Sequence, residues 1–175
     1  MEIIADKVAL FKFENVDKLF ELVKKLQLEI LPYNNVMGKK ILKTDKLDDC
    51  GENIKKLVFE PMSKNFLEFI KYFNVEYDFD HRGFAIRLLE NGIEFLEHTD
   101  PEDGIVELIY LNDDYDGGEL ILHDYNITFK PEKGDIIIFD ASTITHSVLS
   151  TKIGDRKSTR LNSSHSQQSR MPSSA

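Results

Sequence analysis

His98 and Asp100 stand as H-x-D, a third candidate ligand follows at His146, and a basic residue, Arg156, comes ten positions later. Two imidazoles and one carboxylate make up a facial triad, which grips a non-haem Fe(II) on one side and leaves the other side open to substrate and O2. The same donors suit Zn2+, for which His123 is an alternative third ligand beside His98. Arg156 offers a planar fork that can pair bidentately with a carboxylate. The chemistry read from these residues is oxygenation at an open metal site, with zinc-dependent catalysis on the same barrel as the alternative.

The elements around these residues must aim them at one point. In a strand, residues i and i+2 share a face, so His98 and Asp100 converge as a strand over 94–98 gives way to Pro101. Ile144, His146 and Val148 share one face of a strand over 143–149, and Thr145 and Ser147 take the other. An inward-facing histidine flanked by Ile and Val calls for a partner, which a metal supplies. His123, within His123-Asp124-Tyr125-Asn126, reads as an exposed hairpin-turn residue. His81, between Asp80 and Arg82, reads as a surface residue, and His165 falls in the C-terminal tail.

From Gly83 onward the apolar period is two. The expected strands are 83–89, 94–98, 105–111, 119–122, 127–129, 135–139 and 143–149. Turn chemistry separates them, notably Asp116-Gly117-Gly118 and Lys130-Pro131-Glu132-Lys133-Gly134. Short strands at this spacing predict a sandwich or jelly-roll barrel. Before Gly83 the chain reads as support. A strand over 7–13 places Ala9, Phe11 and Phe13 on one face. A helix capped by Asn15 carries Val16, Leu19, Phe20, Val23 and Leu26, and 34–51 reads as loop. A second helix has Pro61 in its first turn and a core-packing stripe of Phe66, Phe69, Ile70 and Phe73. The fold class is therefore α+β, mainly β, with 1–82 supporting a catalytic core over 83–157.

Composition bounds the function. The 175 residues are enough for one domain with a core. Net charge is −9, but residues 156–175 hold four of the 22 Lys+Arg and none of the 31 Asp+Glu, leaving 18 basic against 31 acidic residues before them, a net of −13. Such a surface argues against nucleic acid or an anionic membrane as partner. Acidic residues at the expected mouth, among them Glu97, Glu102 and Asp113, belong to this generally acidic surface. No apolar run reaches the roughly 18 residues needed to span a bilayer, and residues 1–6 lack the basic start of a signal peptide, so a cytoplasmic protein is expected. The single cysteine, Cys50, lies among Asp48, Asp49 and Glu52, which disfavour a reactive thiolate.

Read together, Leu89-x-x-Gly92-x-x-Phe95-x-x-His98-x-Asp100, Tyr110-Leu111-Asn112, Gly117-Gly118-Glu119-Leu120, Pro131-x-x-Gly134-Asp135, Phe139, His146-x-Val148 and Gly154-x-Arg156-x-Ser158 form an ordered set over 84–158. This stretch resembles the Fe(II)- and 2-oxoglutarate-dependent dioxygenases, in the branch containing the prolyl 4-hydroxylases. The resemblance implies a double-stranded β-helix in which His98, Asp100 and His146 bind Fe(II) and Arg156 binds the distal carboxylate of 2-oxoglutarate. It implies a hydroxylase that consumes O2 and 2-oxoglutarate and releases succinate and CO2, with ascorbate as a further cofactor. Its substrate would be a peptide, prolyl by branch, or a small molecule. Leu89 and Phe95 stand where relatives often carry Tyr, which leaves Tyr110 as the candidate hydroxyl contact to the cosubstrate.

The tail departs from the family's pattern. Serines at 158, 163, 164, 166, 169, 173 and 174 lie among Gln, Asn and Arg, and Leu161, Met171 and Ala175 are too sparse to make a buried face. The expectation is a disordered tail over 158–175, resembling translated sequencing-adapter sequence, in place of the strand that closes the barrel in relatives. A non-catalytic jelly-roll binding or scaffold module is the remaining alternative, because one barrel hosts many functions.

Overall fold

The computed structural model describes residues 1–25, 39–43, 49–75, 81–89, 92, 94–100, 104–154 and 156–163. In chain order they form β1 (Glu2–Ala5), β2 (Val8–Lys12), α1 (Val16–Lys24), β3 (Lys39–Lys43), α2 (Asp49–Phe73), β4 (His81–Leu89), β5 (Phe95–His98), β6 (Ile105–Tyr110), β7 (Asp116–Gly117), β8 (Leu120–Leu122), a 3-10 turn (His123–Tyr125), β9 (Ile127–Phe129), β10 (Asp135–Asp140), β11 (His146–Val148), β12 (Thr151–Ile153) and β13 (Arg156–Ser163). A seven-stranded sheet runs β1-β2-β10-β6-β13-β4-β3, a four-stranded sheet runs β5-β11-β8-β9, and β12 pairs with β7.

Strand alternation splits the interior into two layers. Val106, Leu108 and Tyr110 of β6 join Ile137 and Phe139 of β10 to meet Leu120, Leu122 and Val148 of the smaller sheet. This is the jelly-roll interior. The opposite face of the large sheet, through Ala9, Phe11, Ile105, Ile109, Ile136 and Ile138, packs on Leu19 and Val23 of α1 and on α2. No helix among the described residues is long and apolar enough to cross a membrane.

The helical support is more extensive than the sequence suggested. Pro61 lies inside α2 rather than in its first turn. A proline there removes a backbone donor and crowds the preceding turn. Those costs are offset by a buried row of Ile54, Val58, Met62, Phe66 and Phe69, spaced by four, four, four and three residues along one face. The expected loop over 34–51 contains β3, which pairs antiparallel with β4, and the start of α2. Asn15 occupies the N-cap of α1, but its side chain makes no capping hydrogen bond.

The largest correction concerns the tail. Arg156–Ser163 is strand β13, lying between β4 and β6 with antiparallel partners on both sides. Disorder from Ser158 and a missing closing strand are thus overturned as far as Ser163, and 164–175 lie outside the described residues. The physical reason is that a strand flanked on both sides is held by its backbone ladder. Side-chain alternation, the signal lacking here, is a sufficient mark of a strand and not a necessary one.

Candidate active site

Strands β5 and β11 place the two histidines. They pair antiparallel with His146 directly across from His98, and an irregularity shifts the register before Val148 meets Phe95. Regular alternation would have turned Leu96 inward beside His98. The bulge instead turns Leu96 out, 75% exposed, while Phe95 and His98 both line the interior cavity. The two imidazole centroids lie 4.4 Å apart, and Phe139 packs edge-on against His146 at 5.0 Å.

Each ring is oriented by its own chain. The Nδ1 of His98 lies 2.6 Å from the Leu96 carbonyl oxygen, and that of His146 lies 3.0 Å from the Ile144 carbonyl oxygen. A carbonyl only accepts, so each Nδ1 carries the proton and each Nε2 keeps its lone pair for a ligand. Asp100 is fixed by its backbone N–H, which donates to the Ala141 carbonyl at 2.8 Å. Its two carboxylate oxygens lie 3.6 Å from His98 Nε2 and 3.7 Å from His146 Nε2. One ligand atom from each of the three residues falls within 4.8 Å of the others, a spacing that can hold one metal ion. His123 is directed elsewhere, with its Nε2 2.8 Å from Ser147 Oγ. It is half-buried rather than fully exposed.

The same cavity, about 430 Å3 including its open mouth, is lined by His98, Asp100 and His146, by Arg156 and Ser158, and by apolar walls that include Val106, Leu108 and Leu120. Arg156 is 3% exposed. Its Nη1 donates to the Gly118 carbonyl at 2.9 Å, and its guanidinium carbon sits 4.8 Å from the centre of the Tyr110 ring. Among the described residues no carboxylate lies within ion-pairing distance of it. Its Nε and the hydroxyls of Tyr110, Tyr115 and Ser158 are buried without hydrogen-bond partners. An unpaired cation among unpaired donors is costly unless an anion joins them.

Burial pushes the Tyr110 phenol above its usual range, with Arg156 pulling part of the way back. Burial likewise raises the Tyr115 phenol, again opposed by Arg156. Both hydroxyls are therefore proton donors at neutral pH. The donor set fits a carboxylate, and the triad fits a metal.

Local backbone chemistry holds Arg156 in place. The Leu111 N–H donates to the Lys157 carbonyl at 2.9 Å, and the Lys157 N–H donates to Asn112 Oδ1 at 2.7 Å. The Asn112 side chain thus extends the pairing of β6 with β13 next to Arg156. Gly118 has φ +71°, and a Cβ there would come within 3.1 Å of both Thr151 and Tyr115 and 3.4 Å of Arg156 Cδ. Sequence reasoning brought His98, Asp100, His146, Arg156 and Tyr110 to one region. It assigned no part to Ser158, Tyr115 or the Asn112 brace. For Asn112 the available signal was an amide closing the apolar run of β6; for Tyr115 there was none.

The family model described as the 2OG-Fe(II) oxygenase superfamily matches residues 84–163. Over those residues the chain is similar to that superfamily. The matched range includes β13, so it supports the corrected end of the barrel. A match to a 2OG-Fe(II) oxygenase family supports an enzyme that uses Fe(II), 2-oxoglutarate and O2.

Among solved structures, an oxidoreductase of the 2OG-Fe(II) oxygenase family from Burkholderia pseudomallei is similar with a TM-score of 0.70 and 18% identity, over 90% of this chain and 84% of that one. A prolyl-4-hydroxylase from Pseudomonas putida gives 0.69 and 17%, over 92% and 94%. A prolyl hydroxylase from Trichoplax adhaerens, in complex with a hypoxia inducible factor oxygen degradation domain peptide fragment, gives 0.70 and 14%, over 91% and 84%. At these identities the likeness is one of fold. A comparison with curated proteins finds no match.

Proposed function

We propose that the protein is a 2-oxoglutarate-dependent hydroxylase in which His98, Asp100 and His146 bind Fe(II) and Arg156 binds the distal carboxylate of the cosubstrate. When bound, iron and 2-oxoglutarate supply oxidative hydroxylation of a C–H bond, with O2 consumed and succinate and CO2 released. The chain contributes geometry. Two Nδ1–H···O=C contacts fix the imidazoles. Tyr110 and Ser158 donate to the carboxylate that Arg156 pairs. Val106, Leu108 and Leu120 keep the cavity apolar and limit water. The residues before β4 extend the large sheet with β1, β2 and β3 and supply the helices that back it, and the strands from β4 to β13 carry the chemistry.

One observation carries this reading: a buried arginine with unpaired donors around it opens on the same cavity as the metal ligands. A scaffold module has no use for that arrangement, and a zinc enzyme would use it only for a substrate that carries a carboxylate. The substrate proposed is a peptide, with proline the first side chain to examine. This follows the sequence resemblance and accords with the two prolyl hydroxylases that share the fold.

The test combines two measurements on one preparation. Under anaerobic conditions, Fe(II) with 2-oxoglutarate should give a visible charge-transfer band. In air, succinate release should rise when proline-containing peptides are added, with hydroxyproline in the product and ascorbate dependence scored alongside. Catalysis supported by zinc in the absence of 2-oxoglutarate would reject the proposal.

A further inference from the structure

The outer side of the small sheet carries a second histidine network that the proposed chemistry does not use. Glu97 and Ser147 are the chain neighbours of the ligands His98 and His146, and His123 spans the distance between them. His123 Nε2 lies 2.8 Å from Ser147 Oγ, and its Nδ1 lies 3.7 Å from a Glu97 carboxylate oxygen. With the Nδ1 proton toward Glu97, Nε2 accepts from the Ser147 hydroxyl. The histidine is itself anchored to the site: its backbone N–H donates to the Thr145 carbonyl at 2.9 Å, and Leu122 before it is the register partner of His146.

Nucleophile, imidazole and carboxylate stand here in the order a hydrolase would use. Ser147, however, is 8% exposed within a strand, which leaves a substrate carbonyl no approach. The network serves geometry instead. Strand β5 is the edge of its sheet, four residues long, and its pairing with β11 is irregular. An edge strand paired on one side through a bulge has fewer ladder bonds to set its distance from its neighbour. That distance is what separates His98 from His146.

We propose that His123 is a positioning residue for the metal centre. It braces β5 against β11 from outside, so that the two ligand imidazoles inside keep the spacing a single ion requires. The inference rests on the reading of His98, Asp100 and His146 as the Fe(II) ligands.

The experiment is an anaerobic calorimetric titration of the full chain with Fe(II) alone, without 2-oxoglutarate, alongside a thermal melt. His123→Ala should bind Fe(II) about 10-fold more weakly, at the low end of the range for loss of a direct partner of a ligand, because His123 acts through the neighbours of the ligands. His123→Gln can present its amide oxygen to the Ser147 hydroxyl and an amide N–H toward Glu97, so it should recover most of the affinity, a rescue that general loss of packing would not give. Should His123→Ala fail to fold, Ser147→Ala removes the same contact without opening a hole and should weaken Fe(II) by about 3- to 10-fold. Fe(II) affinity within twofold of the parent in the folded variants, or Gln no better than Ala, overturns the inference. No Fe(II) binding by the parent protein would remove the iron reading and this inference together, whereas normal binding by the parent with unchanged variants removes this inference alone.

Discussion

Glu107 and Tyr110 stand three residues apart on β6, are 1% and 0% exposed, and face opposite layers of the molecule. Glu107 alternates with Ile105 and Ile109, toward the helices. Tyr110 alternates with Val106 and Leu108, toward the barrel interior. Neither the carboxyl oxygens of Glu107 nor the hydroxyl of Tyr110 has a hydrogen-bond partner. Burial raises the pKa of both groups, opposed at Tyr110 by Arg156 and at Glu107 by the amide of Asn65 on α2. The difference lies in the surroundings. Tyr110 lies against a buried guanidinium that opens on the cavity lined by His98, Asp100 and His146, whereas Glu107 faces the helical layer, with the Asn65 amide beside it and no cation among the described residues. An unsatisfied buried group therefore marks a ligand site only when space and an opposite charge accompany it.

The strongest way to break this contrast is to remove the charge. Arg156→Ala should lower 2-oxoglutarate affinity by about 100-fold, since hydrogen bonds to charged groups are worth about 1.5–3 kcal/mol each. Fe(II) affinity measured without the cosubstrate should be unchanged. Equal losses of both affinities would make Arg156 a structural residue and dissolve the distinction between the two faces.

On the helical face the expected effect is on stability. Glu107 has its carboxyl pKa raised well above 4.5 in the folded chain. The unfolded chain therefore ionises first as pH rises, and folding loses stability from about pH 4.5 up to the folded pKa, then levels off. One such group gives a slope of up to about 1.4 kcal/mol per pH unit in that window. Glu107→Gln should flatten that part of the pH–stability curve and raise stability at neutral pH, leaving 2-oxoglutarate affinity untouched. Urea melts at several pH values read the first effect. A variant that instead loses cosubstrate affinity would tie Glu107 to the site and refute its classification as enclosed.

How much of this could be read in the sequence differs between the same two regions. On the barrel side the H-x-D and the later His come at strands whose alternation and turn residues were visible, so their convergence was legible, whereas Arg156 opens β13 and was legible only through the family resemblance. Alternation alone would aim Leu96 inward beside His98, because a bulge has no signature in a four-residue strand. It also missed β13, because a strand held on both sides by backbone pairing needs no apolar side chains. On the helical side the stripe from Phe66 to Phe73 was visible, but Pro61 concealed the first three turns of α2, where tertiary burial outweighs a local penalty. Glu107 drew no attention, since a single acidic residue in an apolar run does not reveal which layer it faces.

The finest test separates Tyr110 as a donor from Tyr110 as a wall. Deleting its hydroxyl in Tyr110→Phe removes a buried group that has no partner in the ligand-free protein, so thermal stability without cosubstrate should stay the same or rise by up to about 1 kcal/mol. With cosubstrate the donor is used, and affinity should fall by about 3- to 10-fold, the worth of one ordinary hydrogen bond. Stability thus moves one way without 2-oxoglutarate and the other way with it, a crossing that a packing defect would not produce. Because burial keeps the phenol protonated, the effect should persist unchanged across neutral pH. Combining Tyr110→Phe with Arg156→Ala should give less than the product of the two losses, since both act on one carboxylate. If Tyr110→Phe leaves affinity intact, its hydroxyl is an enclosed group like the carboxyl of Glu107, and Arg156 with Ser158 must hold the anion without it.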